Sequence, residues 1–197
     1  LIEKGMVAPE DVPRFIGHIR TEASRMVTLI GDIIRLSQLD EGEPMPTETV
    51  DLLEVTREAA ENLQTAAAAR DLTVTVEGQP AELEGVRRLL YEIVYNLCDN
   101  AIKYNVTGGR VDLSVSCTGG TAAVVVRDTG IGIPADQQDR VFERFYRVDK
   151  SHSKASGGTG LGLSIVKHAV QYHHGVIELK SELGKGTEIR VTFPVKA

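Results

Sequence analysis

The stretch Gly157-Gly158-Thr159-Gly160-Leu161-Gly162-Leu163-Ser164 places four glycines in six residues and runs directly into an apolar helical pattern that lasts to about Tyr172. A helix that begins this way leaves its first backbone N–H groups uncovered. Those groups form an anion site, and the glycines let a ligand approach the backbone closely. A flexible hinge is the plainer alternative. The stretch follows a long polar loop rather than a strand and lacks Gly-x-Gly-x-x-Gly spacing, so it is not a dinucleotide fingerprint; no Gly-x-x-x-x-Gly-Lys loop occurs either. The two commonest nucleotide folds are thereby set aside, and any phosphate must be held by another architecture.

Charge agrees that such binding would be local. The chain has 197 residues, 22 Lys and Arg against 28 Asp and Glu, and a net charge of -6, which gives no general attraction for nucleic acid or an anionic membrane. A hydrophobic content of 42% suffices for a real core. Cys98 and Cys117 fit no metal or redox spacing and read as small buried thiols. No run approaches the roughly 18 apolar residues of a membrane span, and no signal peptide is evident. The sequence opens at Leu1 inside what reads as a helix tail, as a piece of a longer protein would, and is cytosolic in character.

Along the chain, Val12, Ile16, Ile19, Ala23, Met26, Ile30, Ile33 and Ser37 form a heptad seam, widened by Val27, Leu29, Ile34 and Leu36. This stripe needs a partner: a preceding helix, a second copy of the chain, or both. Asp40-Glu-Gly-Glu-Pro-Met-Pro breaks the helix, so the organisation is residues 1–40 helical, 41–47 linker and 48–197 a second domain. In that domain Thr49–Leu53 leads into a helix through Ala69, Leu72–Glu77 alternates as a strand, and a long helix is predicted from about Leu83 to Tyr104. Strands follow at Val111–Cys117 and Ala122–Asp128, then a glycine-rich stretch of about thirty residues with a short helical piece near Phe142, then a closing hairpin, 176–181 and 188–195.

The long helix sets Asn96, Asn100 and Lys103 on one face. Asparagine carbonyls suit Mg²⁺, and lysine suits phosphate; a solvated polar face is the competing reading, and this helix alone leaves both open. Asp128-Thr-Gly130-Ile131-Gly132 follows a strand, where a buried carboxylate can accept the amine of adenine and the glycines admit a flat ring. A tight turn is the alternative there.

Taken in order, Asn96 with Asn100, Asp128-x-Gly-x-Gly, Phe142-Glu-Arg-Phe145-Tyr, Gly158-x-Gly-x-Gly and Gly184-Lys-Gly-Thr187 are far more specific than any one of them. The chain closely resembles the C-terminal part of bacterial sensor histidine kinases, and the five stretches resemble that family's N, G1, F, G2 and G3 boxes. The resemblance implies an α+β fold, the two-layer Bergerat-type sandwich of a mixed sheet covered by helices, preceded by part of a helical-hairpin dimerisation and phosphotransfer domain. It implies ATP and Mg²⁺ as cofactors, with Asn100 the metal ligand and Asn96 close by. Lys103 and Tyr104 would contact phosphate and the ribose or base region. Asp128 would take the adenine amine, and Gly130, Ile131 and Gly132 would line the base pocket. Phe142 and Phe145 would anchor a lid, Arg144 and Arg147 would approach phosphate, Gly158, Thr159, Gly160, Leu161 and Gly162 would cradle it, and Thr187 would lie near the base.

The pattern departs from the family in one respect. The family's acceptor histidine, followed by an acidic residue and shortly by a proline, matches none of His18, His152, His168, His173 or His174. The resemblance therefore implies a protein-histidine kinase fragment whose acceptor lies upstream of Leu1, with a homodimer through the helical segment, a response-regulator receiver domain as partner, and membrane attachment only through upstream segments. Two rivals are another ATPase or serine kinase on the same fold, and a relay module with a degenerate nucleotide site. The first is disfavoured because such ATPases usually carry a glutamate base where Asn96 stands, the second because every box is intact.

Overall fold

The structure is a computed structural model in which residues 8–41, 44–148 and 159–195 are described. Helix α1 spans Val12–Glu41, entered through a 3₁₀ turn at Pro9–Asp11. After the linker come β1 (Glu48–Asp51), α2 (Leu52–Ala68), β2 (Thr73–Gly78), β3 (Glu82–Gly85), α3 (Arg87–Lys103), β4 (Arg110–Thr118), β5 (Thr121–Asp128), a 3₁₀ turn at Ala135–Gln137, α4 (Gly162–Tyr172), β6 (Val176–Glu182) and β7 (Gly186–Pro194). Five strands form one mixed sheet in the order β2-β4-β5-β7-β6, with β2 and β4 parallel and the other pairs antiparallel. Strands β1 and β3 make a separate antiparallel pair.

Helices α2, α3 and α4 supply the second layer. Val111, Leu113 and Val115 alternate inward along β4, and Val124, Val126, Ile189, Val191 and Phe193 continue that face across β5 and β7. Against it pack Leu52, Val55 and Leu63 of α2, Leu90, Ile93, Val94 and Leu97 of α3, and Val166, Ala169 and Val170 of α4. The opposite face carries Ser114, Ser116 and Arg190 into solvent. One face apolar and one wet is the arrangement an antiparallel meander permits, and the result is the two-layer α+β sandwich that the resemblance implied.

Two short strands differ from the sequence reading. Thr49–Val50 leads into α2 as read, but as a strand, and Leu83 does not begin the long helix, which starts at Arg87, because β1 and β3 pair with Val50 opposite Leu83. Leu83 and Gly85 point inward while Glu82 and Glu84 point out, a period of two that four residues are too few to display in a sequence. Asp51 then caps α2 by accepting from Leu53 N–H at 2.9 Å and ties in the second segment by accepting from Ala81 N–H at 3.0 Å. Near Phe142 the chain forms successive turns instead of a helix.

Helix α1 is about 45 Å long at 1.5 Å per residue, and only its C-terminal half rests on the domain. Leu36 is buried against Leu161 and Ile165 with Leu29 beside it, and Leu39 joins the main core. The predicted stripe remains open to solvent at Ile16, Ile19, Met26, Val27, Ile30, Ile33 and Ile34. The linker is held in place where Met45 N–H donates to Tyr172 Oη at 2.9 Å.

His173, read from sequence as structural or solvated, is a core strut. Its Nε2 accepts from Val86 N–H at 3.0 Å and its Nδ1 lies 2.8 Å from Ala169 O, a pattern that the neutral ring with the proton on Nδ1 satisfies. Burial lowers its pKa from the ordinary 6.5. The unfolded chain therefore binds the proton more readily, so the contribution is present above about pH 6.5 and is lost as pH falls through the depressed folded value. Urea midpoints measured at pH 5 and pH 7.5 should differ more in the native chain than in His173→Phe, which in turn should be less stable at pH 7.5 by about 1–3 kcal/mol because Val86 N–H loses its acceptor.

Candidate functional site

A cleft of about 890 Å³ opens on the side of α3 that faces away from the sheet. The amphipathic split of α3 creates it. Leu89, Leu90, Ile93, Val94, Leu97, Ala101 and Ile102 are buried in the core, which turns Glu92, Asn96, Asn100 and Lys103 to the cleft wall. Asn96 Nδ2 donates to the Glu92 carbonyl at 2.8 Å, leaving Oδ1 available. Lys103 donates to Asp99 Oδ2 at 2.6 Å, so its charge is shared with a carboxylate before any ligand arrives.

The opposite wall starts where β5 ends. Asp128 Oδ1 accepts from Gly130 N–H at 2.7 Å and from Thr187 N–H at 3.2 Å. Both bonds go to one oxygen, so Oδ2 is left to receive a donor from the cleft. Burial raises the Asp128 pKa and the two N–H bonds oppose that rise. Gly132 sits at φ +69°, and a side chain there would drive into the Glu182 carbonyl of the β6–β7 turn. Ile131, Gly132, Tyr104 and Thr187 complete this end.

At the other end α4 begins. Thr159, Gly160 and Gly162 line the cleft, and a methyl group at Gly162 would stand 2.9 Å from Asn96 Oδ1 and 3.9 Å from Asn100 Nδ2. Glycine there lets the helix start abut the two amides. Among the described residues no side chain caps the start of α4, which leaves its first N–H groups facing the cleft as a candidate anion position.

The cleft thus joins Asn96, Asn100, Lys103, Tyr104, Asp128, Ile131, Gly132, Arg147, Thr159, Gly160, Gly162 and Thr187. The remaining predicted residues lie elsewhere. Gly130 is buried behind the wall, and Leu161 faces Leu36 and Ile165. The Phe145 ring is 59% exposed, while its backbone, at φ +63°, donates from N–H to Gly160 O at 2.9 Å. Phe142 is half-buried. Arg144 points to helix α1, where Nη2 reaches both oxygens of Asp40 at 2.7 and 2.6 Å. Gly158 and His152 lie outside the described residues.

Sequence reading missed the contribution of α1, whose Thr28, Asp32 and Arg35 form part of the cleft; no local pattern links residue 32 to residue 159. It also missed Asn105, which is 5% exposed. Asn105 Nδ2 donates to Arg110 O at 2.9 Å, and its Oδ1 accepts from Val106 N–H at 3.0 Å and from Thr129 Oγ1 at 3.3 Å. These bonds hold the end of α3 against the segment after Asp128. Its position two residues past the end of α3, just after the C-cap Tyr104, was the available signal. Asn105→Ala should lower stability by about 1–3 kcal/mol through the unsatisfied groups it leaves, read as a fall in Tm.

Comparison with known proteins points the same way. Residues 85–197 match the family described as histidine kinase-, DNA gyrase B-, and HSP90-like ATPase. The sensor-like histidine kinase SenX3 of Mycolicibacterium smegmatis is 39% identical over 188 residues, covering 94% of this chain and 49% of that protein. The sensor histidine kinase WalK of Bacillus subtilis is 34% identical, covering 93% of this chain and 31% of its own length. The chain therefore spans half or less of these relatives. Among solved structures, the mycobacterial sensor histidine kinase MprB superposes with a TM-score of 0.64 at 33% identity, over 76% of this chain and 97% of that one. Full-length ShkA in complex with AMPPNP gives 0.79 at 25% identity, over 94% and 39%. The chain belongs to the histidine kinase-, DNA gyrase B- and HSP90-like ATPase family, as the ATP-binding catalytic domain of a bacterial sensor histidine kinase.

Proposed function

We propose that this chain binds MgATP in the cleft and transfers the γ-phosphoryl group to a histidine outside these 197 residues, from which a response-regulator aspartate receives it. The observation that carries the reading is that one cleft holds an adenine-type acceptor, Asp128, at one end and an uncapped helix start beside two amides at the other. Adenine would give its amine hydrogen to Asp128 Oδ2, while Ile131 and Gly132 flank the ring. The triphosphate would run toward Thr159–Gly162, with Lys103 and Arg147 contributing positive charge along the way.

The donor set fits Mg²⁺. Asn100, with Asn96 nearby, offers neutral hard oxygens, and among the described residues no cluster of three or more His, Cys, Asp or Glu offers a richer cage. A cation of this kind keeps waters and shares phosphate oxygens. When bound, it would neutralise charge on the β and γ phosphates. The protein's own part is positioning: the open N–H groups at the start of α4 and the Lys103 ammonium would stabilise the equatorial oxygens. The acceptor imidazole nitrogen forms a bond to γ-phosphorus as the bond to the β–γ bridging oxygen breaks, and ADP leaves.

The α1 stripe supports a homodimer through the helical segment, since seven large apolar side chains from Ile16 to Ile34 are left in solvent. Among the described residues no helix is long and apolar enough to cross a membrane.

Calorimetric titration should give Mg²⁺-dependent ATP binding that Asn100→Ala weakens at least about tenfold, equivalent to about 1.4 kcal/mol. Asp128→Asn should weaken ATP and adenosine alike, by about 10- to 100-fold for the loss of a charge-assisted acceptor. Because the Asp128 pKa is raised from 3.8, adenosine binding should fall off at higher pH than an ordinary carboxyl would dictate. With labelled ATP the chain should phosphorylate a separately supplied acceptor helix and should not label itself. Steady ATP hydrolysis without an acceptor would instead favour an ATPase.

A further inference from the structure

Helix α1 presents one acid, Asp32, to the phosphate end of the cleft and a second, Asp40, to Arg144 outside the cleft lining. Thr159 Oγ1 donates to Asp32 Oδ2 at 2.9 Å, and Leu161 N–H lies against the same hydroxyl at 3.3 Å. Asp32 is 8% exposed, an uncommon burial for a carboxylate on a helix whose apolar residues mostly face water. Arg35 lies beside it, Nη1 at 3.6 Å from Asp32 Oδ1 and Nε at 3.3 Å from Glu92 Oε1. Eight residues on, Asp40 holds the guanidinium of Arg144 with both oxygens. His168 Nδ1 is also 3.2 Å from Asp40. Thr159 and Arg144 are two groups for which the family resemblance implies a phosphate ligand, and in this structure each donates to a carboxylate of α1.

We infer that α1 is an internal competitor of nucleotide phosphate: Asp32 occupies the anion position at Thr159, Asp40 does the same at Arg144, and Leu36 seated on Leu161 and Ile165 holds both in register. The inference rests on the reading of the cleft as an ATP site. A carboxylate oxygen and a phosphoryl oxygen are both anionic acceptors for one donor, so the Thr159 hydroxyl cannot serve both. At a few ångströms in a partly desolvated cleft the two anions also repel. Competition is reciprocal, so α1 weakens ATP by the factor by which ATP loosens α1. The adenine end lies apart from these contacts and takes no part.

The test uses the whole chain and Asp32→Asn, which keeps the size and an acceptor oxygen but removes the charge. Titrations with ATP and with adenosine should show ATP binding more tightly to the variant, within the roughly 5- to 150-fold span of coupled sites, and adenosine unchanged. In the unmodified chain, ATP but not adenosine should speed amide hydrogen exchange across residues 28–41. Equal or weaker ATP binding by Asp32→Asn, or an equal gain for adenosine, overturns the inference while leaving the ATP reading intact, as does unchanged exchange with ATP bound. Failure of both proteins to bind either ligand overturns the ATP reading and the inference with it.

Discussion

The two-sidedness of α3 is the constraint on which the rest depends. Its apolar side is buried almost completely against the sheet, from Leu89 at 1% to Ile102 at 2% exposure. At roughly 1.5–3 kcal/mol for each large side chain removed from water, rotating the helix would cost more than any polar contact in the cleft returns. The orientation of Asn96 and Asn100 is therefore set by residues that never touch a ligand. Being made of a continuous helix on a rigid sheet, that wall is far stiffer than one made of loop.

The opposite wall inherits its position from strand register. Val111 pairs with Asp128 across β4 and β5, and Arg127 pairs with Glu188 across β5 and β7. This places the Asp128 carboxylate beside Thr187 N–H although 59 residues separate them. A slip of one residue would turn Asp128 to the other face of the sheet. The raised pKa of Asp128 follows from its burial, which the two backbone N–H bonds only partly offset. Asn105 and Arg70 fasten the corner between the walls: the Arg70 guanidinium donates to Lys103 O, the last carbonyl of α3, at 2.8 Å and to Asn105 O just beyond it at 3.2 Å.

Helix α1 obeys a different balance. Its contact with the domain consists of a few apolar side chains and several partly exposed ion pairs, each weak in water. Its apolar stripe from Ile16 to Ile34 remains uncovered. Glu92, buried next to Arg35 with one oxygen lacking a hydrogen-bond partner among the described residues, and with its pKa raised by burial, shows that this junction is not packed to the standard of the core.

The sequence by itself determined most helical and strand segments of the domain, the α1 stripe and twelve of the residues that line the cleft. These are local matters: helical and strand periodicity, glycines where backbone must be bare, and the order of five short motifs. Tertiary structure decided what depends on distant pairing. Strands β1 and β3 exist because each supplies the other's hydrogen bonds, which neither four-residue segment reveals alone. His173 is a strut because folding brings Val86 N–H to its ring. Arg144 meets Asp40, and Thr159 meets Asp32, only because α1 lies across the start of α4. Sequence periodicity records which face of an element is apolar; which charged group ends up opposite another is a property of packing between elements, and no periodicity encodes it.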